Sequence, residues 1–172
     1  MGQWAVVANL RLDYTGYDGP VSQEIDGHNW HIVHNELFAS TAPRTGSNIR
    51  RMAGITGNGN NSFWCGNHIR DVQGSSGERH DIYIDGDGSL DITYNKIHDV
   101  RDGNGLQAYV NGGNGSVITN NINLHHNWIH DVSKHGGNVA DGVRNNLKVT
   151  NNVVYNVAYA GIGVNTTDLF GA

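Results

Sequence analysis

An all-β, right-handed parallel β-helix of about five to six rungs, with three short strands per rung, is the fold the sequence predicts. Three observations predict it: a composition dominated by Gly and Asn, a short phrase that recurs along the chain, and apolar alternation with period two and no stretch at helical spacing.

Composition narrows the class first. The 172 residues include 24 Gly and 23 Asn, more than a quarter of the chain, against three Lys and two Pro. Gly and Asn are poor helix formers, which excludes a helical bundle. A hydrophobic fraction of 37%, with seven Tyr and four Trp, is too high for a disordered Gly-rich chain. The length is that of one domain, and residues 1–172 read as a single β-helix domain. A net charge of −5 and the scarcity of Lys exclude nucleic-acid binding by phosphate neutralisation. Cys65 is the one cysteine, so neither a disulfide framework nor a Cys-rich zinc module is available. No apolar run is long enough for a membrane-spanning helix.

The recurring phrase reads Asn67-His-Ile-Arg-Asp-Val72, Asn95-Lys-Ile-His-Asp-Val100, Asn127-Trp-Ile-His-Asp-Val132 and Asn152-Val-Val-Tyr-Asn-Val157, with a weaker copy at Asn35. The Asn-to-Asn spacings are 32, 28, 32 and 25 residues. A second phrase lies between these copies: Gln23–Gly27, Ala53–Gly57, Ile82–Gly86, Ala108–Gly112, Asp141–Arg144 and Ile162–Asn165. A third precedes each Asn as an apolar pair: Trp30/Ile32, Leu90/Ile92, Ile122/Leu124 and Leu147/Val149. Three alternating stretches per period, separated by Gly, Asn and Asp, read as three strands. A propeller blade needs about 40 residues and tight hairpins, so these periods are too short for it. A coil that climbs one strand spacing of about 4.8 Å per turn fits, and parallel crossovers are overwhelmingly right-handed.

The Asn column (Asn35, Asn67, Asn95, Asn127, Asn152) has a physical cause in such a coil. A buried amide needs partners, and stacked amides supply them to one another. The column Asp71, Asp99, Asp131 and Asn156 falls where the chain leaves a strand, and there a side chain accepts from the local backbone.

The Asn-x-Ile-His-Asp phrase, followed by a Gly-flanked Ile-Tyr-Ile, resembles the repeats of the pectin-lyase-like superfamily over residues 20 to 165. The resemblance implies the β-helix fold. It implies carbohydrate-active function only broadly, because that superfamily holds lyases, glycoside hydrolases, epimerases, tailspikes and adhesins. It also implies a ligand lying along one parallel sheet.

Aligning Ile25, Ile55, Ile84, Val110, Val143 and Val164 as one inward column places Glu24, Asp26, Asp81, Asp85, Tyr83, Tyr109, Gln107, Asn111 and Arg144 on one outward face, with His80 at its border. Tyr83 and Tyr109 then fall one rung apart. Aromatic rings for sugar faces, with carboxylates and amides for hydroxyls, suit a polysaccharide or oligosaccharide. Asp26 and Asp85 are two rungs apart, roughly 10 Å, close to the separation of about 6.5–9.5 Å used by inverting glycosidases. Asp26, Asp81 and Asp85 are therefore the acid/base candidates, and Arg144 is the charge stabiliser. Glu24, His80, Tyr83, Gln107, Tyr109 and Asn111 are the substrate contacts. No cofactor is required for hydrolysis; for a lyase the resemblance implies Ca²⁺ as an option, which Asp26, Asp81 and Asp85 could hold. The acidic face favours a neutral glycan, hence a glycoside hydrolase over a polysaccharide lyase.

The histidines form no metal set. His98 and His130 stack with Arg70 and Tyr155 in one column and His68 with Lys96 and Trp128 in another, without a third ligand, while the adjacent His125 and His126 point apart. Asp85–Ser89 lacks the Gly of a calcium loop, and Cys65 reads as an inert packed thiol.

A carbohydrate function carries an extracellular or periplasmic location, although Met1–Trp4 lacks the charged and apolar regions of a signal peptide. Neither end shows a capping segment, so the chain reads as a partial β-helix: a middle piece of a longer one, a short gene with that history, or a subunit open to end-to-end self-association, with no nucleic acid and no membrane partner. Two rivals to the enzyme stand: a non-catalytic carbohydrate-binding or adhesin module, and a structural β-helix shaft.

Overall fold

The computed structural model of the chain is a parallel β-solenoid, with no helix among the described residues. It describes residues 4–13, 24–26, 29–38, 55–58, 61–71, 79–85, 89–101, 103–109, 118–140 and 143–164; at 24–26, 55–58, 79–80, 83, 85, 109, 118–120, 140 and 143–145 it describes the backbone alone.

Strands follow in cycles of three. The first cycles are β1 (Ala5–Ala8), β2 (Arg11–Asp13), β3 (Glu24–Asp26), then β4 (Trp30–Val33), β5 (Glu36–Phe38), β6 (Ile55–Asn58), then β7 (Ser62–Cys65), β8 (His68–Arg70), β9 (Arg79–Asp85). The remainder are β10 (Leu90–Thr93), β11 (Lys96–Val100), β12 (Gly103–Tyr109), then β13 (Ile118–His125), β14 (Trp128–Val132), β15 (Gly137–Ala140), then β16 (Val143–Thr150), β17 (Val153–Val157), β18 (Ile162–Val164). Every third strand stacks on its counterpart in parallel. The result is three sheets of six strands: sheet A from β1 to β16, sheet B from β2 to β17 and sheet C from β3 to β18.

Alternation within each strand fills the interior. Ile32, Trp64, Ile92 and Leu124 stack in sheet A. Leu37, Ile69, Ile97 and Ile129 do so in sheet B, each fully buried. Leu106 lies beside Ile82, and Ala108 lies between Ile84 and Val139, in sheet C. Each such branched side chain contributes about 1.5–3 kcal/mol of burial. The buried indole of Trp64 donates to Ser62 Oγ at 3.0 Å, so its polar atom is satisfied.

The Asn column forms a ladder at the corner between sheets A and B. Nδ2 of Asn35, Asn67, Asn95 and Asn127 each donates to Oδ1 of the next Asn at 2.9–3.0 Å. Each Nδ2 also donates to a main-chain carbonyl, as Asn67 does to Ile32 and Asn95 to Trp64. Each Oδ1 further accepts the backbone N–H of the preceding ladder Asn. All four hydrogen-bonding positions of an interior amide are therefore filled, which is what makes its burial tolerable. The residue before each ladder Asn turns the corner in the left-handed region: His34, Gly66, Tyr94, His126 and Asn151 have φ between 54° and 67°. At position 66 a side chain would also fall 2.5 Å from the His34 ring, which accounts for Gly there.

The Asp column is tied to side chains on the outer face. Asp71, Asp99, Asp131 and Asn156 also have positive φ, from 50° to 58°. The three carboxylates are engaged by the side chain just before them: Arg70 Nη1 at 2.7 Å, His98 Nδ1 at 2.6 Å and His130 Nδ1 at 2.6 Å. A left-handed turn swings the carboxylate back beside its neighbour on the outer face.

The expected register of sheet C is corrected. Ile25 pairs with Gly57 and Gly57 with Ile84, while Ile55 pairs with Ile82. A slip of two residues keeps the inside–outside parity intact, so the apolar pattern cannot detect it. Val143 and Arg144 belong to sheet A, opposite Ile118 and Thr119, and the sheet C strand of that turn is β15. Val110 and Asn111 lie outside the described residues, as do the terminal residues 1–3 and 165–172 on which the absence of caps was read.

Candidate functional site

Sheet C carries the face expected to bind substrate. Its register forms two columns: Glu24, Thr56, Tyr83, Gln107, Asn138 and Gly163, and Asp26, Asn58, Asp85, Tyr109 and Ala140. Asp26 and Asp85 thus share a column two strands apart, as the sequence implied. Tyr83 and Tyr109 are not register partners: Tyr83 lies opposite Gln107, and Tyr109 opposite Asp85. His80 lies opposite Asn104 at the start of β9. Gln107 is almost buried, and its Oε1 accepts from Asn104 Nδ2 at 2.7 Å and Asn138 Nδ2 at 2.9 Å. It acts first as a strut of this face. Arg144, in sheet A, does not join it.

Asp81 is the second departure. It is 0% exposed, and neither carboxylate oxygen has a hydrogen-bond partner. Burial pushes its pKa well above the ordinary carboxylate value, and the charges of Asp71 and Asp99 add to the rise. It occupies the register position of Gly105, between the pairs His80/Asn104 and Ile82/Leu106. A Cβ on Gly105 would approach Ile97 and Ile129, so this position faces the interior corner between sheets B and C. Strict alternation fails where a strand rounds a corner, and two consecutive residues then face inward. An interior carboxyl of this kind cannot serve as a solvent-facing acid or a calcium ligand on the outer face.

Sheet B presents an outer column of Phe38, Arg70, His98, His130 and Tyr155. The guanidiniums of Arg11 and Arg70 sit 4.9 and 4.6 Å from the Phe38 ring centre. His98, His130 and Tyr155 stack nearly parallel, 4.8 and 4.9 Å apart. His98 donates through Nδ1 to Asp99, leaving its Nε2 to accept from His68 Nε2 at 2.8 Å. Burial lowers the His68 pKa, helped by the nearby His98, Lys96 and Arg70, with Glu36 opposing. The hydrogen bonds that Arg70 donates to Asp71 and Glu36 raise its own pKa. Among the described residues no three His, Cys, Asp or Glu side chains are placed to hold a metal ion.

Sheet A holds a cluster that sequence reasoning missed. His125 Nε2 meets Asp91 Oδ1 at 2.9 Å, while His125 Nδ1 lies 3.1 Å from Thr93 Oγ1 and 2.8 Å from His126 Nδ1. The adjacent imidazoles therefore meet through their nitrogens instead of diverging. Aligning Leu90–Thr93 on Ile122–His125 was the signal available, because it sets Asp91 and His125 diagonally on one face. Thr93 is 3% exposed, and burial with the Asp91 charge raises the Cys65 thiol pKa, so neither offers solvent an activated nucleophile. Beside this cluster is an open depression of ≈ 370 Å³.

The fold and its corner define the class: a parallel β-solenoid whose turns are tied by a buried asparagine ladder. Comparisons of the chain with protein-family models, curated proteins and solved structures give no match.

Proposed function

We propose that the protein is a carbohydrate-active β-helix of the pectin-lyase-like kind, which binds a polysaccharide along the outer face of sheet C and hydrolyses it. The observation that carries this reading is the register that sets Asp26 and Asp85 in one column two strands apart, with Tyr109 on the next strand and Glu24, Tyr83 and Gln107 in the column beside them. Two strand spacings, about 10 Å between backbone positions, leave room for a water between an acid and a base on opposite sides of a glycosidic bond. Asp26 and Asp85 are then the catalytic pair, and Tyr83 and Tyr109 meet the sugar. Asp81 and Arg144 leave the catalytic set. Secretion to the cell exterior or the periplasm suits such a substrate.

The departure of Asp81 and Arg144 favours a second reading, a binding module of the same face without hydrolysis. Incubation with a panel of neutral polysaccharides, scored for both retention and new reducing ends, separates the two. New reducing ends that vanish in Asp85→Asn support the enzyme. Retention without cleavage supports the module, and neither binding nor cleavage sinks both.

A further inference from the structure

The depression on sheet A has a chemistry of its own, separate from sheet C. Its wall is the outer column Phe63, Asp91 and Asn123 on β7, β10 and β13, with Asn61 just before β7, Ser89 just before β10 and Asn121 within β13. The floor is the solenoid's own packed interior, since the neighbouring Ser62 and Leu90 are buried. The polar rim is pre-oriented. Asn146 Nδ2 donates to Asn121 Oδ1 at 3.0 Å, Asn121 Nδ2 to Ser89 Oγ at 3.3 Å, and Asn61 Nδ2 to Asn29 Oδ1 at 3.5 Å. Asp91 is steered by His125. The Phe63 ring is braced by its register neighbour His31 on β4, edge-on at 5.5 Å.

A ligand for this surface must offer one apolar face and several hydroxyls. Phe63 supplies the apolar platform; amides, a hydroxyl and one carboxylate supply both donors and acceptors. Among the described residues of the lining Asp91 is the only charged group, and it is an anion, so an acidic polymer is disfavoured. The volume falls in the range of small-ligand sites. The lining spans three parallel strands, so an extended ligand lies along the solenoid axis.

We infer that sheet A carries a second, non-catalytic binding site for a neutral glycan, with Phe63 as the sugar platform and Asp91 and Asn123 as its hydroxyl partners. The inference rests on the carbohydrate reading above but concerns another wall of the solenoid. Two sites on different walls let one protein hold a chain at sheet A while sheet C engages the same or a neighbouring chain, which raises avidity without new contacts.

Affinity electrophoresis of the whole chain through gels containing galactomannan, xylan or hydroxyethylcellulose, with polygalacturonate as the acidic probe, tests it. Phe63→Leu keeps apolar volume and removes the ring, while Asn123→Ala alters only a partly exposed position; circular dichroism verifies that both fold. Each is expected to weaken retention by a neutral polymer roughly three- to tenfold, the scale of one ring contact for Phe63 and of one hydrogen bond for Asn123, and to leave any cleavage rate at saturating substrate unchanged. Asp85→Asn is expected to keep this retention. Unchanged retention in both sheet A variants overturns the site while leaving the sheet C reading intact, and so does retention by polygalacturonate alone. Wild-type protein that no polymer retains overturns the sheet A site, and if no polymer gains reducing ends either, the sheet C reading falls with it.

Discussion

Replacing Asp81 by Ala should make the protein more stable at neutral pH, and the effect should depend on pH in a defined direction. The folded carboxyl has a raised pKa, so the folded state holds its proton over a range in which the unfolded chain has released it. The unfolded state then binds fewer protons, and stability falls as pH rises. The favourable side of this linkage is complete below the unfolded pKa near 3.9 and is lost as pH climbs through the folded pKa. Between the two values the loss is about 1.4 kcal/mol per pH unit for one group. Even when protonated, the carboxyl has no hydrogen-bond partner, which costs a further ~1–3 kcal/mol. Ala keeps the Cβ that this position already accommodates and removes both penalties, at the expense of a small void costing about 1 kcal/mol. Urea unfolding followed by the fluorescence of buried Trp64 at half-unit steps from pH 3.5 to 7 measures the difference. The wild-type and Asp81→Ala curves should diverge as pH rises, by ~1.4 kcal/mol per unit at first. Parallel curves, or a variant less stable at pH 7, would refute the placement of an unpartnered carboxyl in the corner.

Three further expectations follow from the same geometry. Asn95→Ala strips four hydrogen bonds from the ladder's middle and orphans the carbonyl of Trp64 and the amide of Asn67, so the urea midpoint should drop by the equivalent of about 3–5 kcal/mol; a loss under 1 kcal/mol would mean water replaces the amide freely. Gly136→Ala would set a methyl 2.5 Å from the Gly161 carbonyl and 2.6 Å from Val154 Cγ1, a destabilisation of roughly 1–3 kcal/mol. Gly137→Ala, with nothing nearer than 3.5 Å, is the tolerated control in the same melting experiment. His68 has a lowered folded pKa, so its contribution is present above the unfolded value near 6.5 and is lost as pH falls through the folded one; its ring should titrate below pH 6.5 by NMR, and a midpoint above that would refute its burial beside His98.

The repeat phrase made much of this architecture legible. Asn at 35, 67, 95, 127 and 152 predicted a buried ladder because an amide can be interred only with partners, and a coil of parallel turns provides them. The apolar pairs before each Asn, such as Leu90/Ile92 and Ile122/Leu124, came out as register neighbours. Sheet C was less legible. Ile82 and Ile84 are equivalent to a pattern with period two, so Tyr83 and Tyr109 were aligned when Asp85 and Tyr109 are the true neighbours. Asp141–Arg144 imitated a strand phrase while the backbone used Gly137–Ala140. Asp81 was assigned outward by parity and is interior, because parity lapses at a corner. The Asp91–His125 contact spans 34 residues and depends on the same inter-turn register.

By itself the sequence determined the fold class, the three-strand cycle and the ladder, since each follows from local spacing and from the need of buried amides for partners. Only the tertiary structure decided which residues share a face. Register between turns is set by corner geometry and unequal loop lengths, and a slip of two residues leaves every apolar side chain inside while moving each outer neighbour to a different partner.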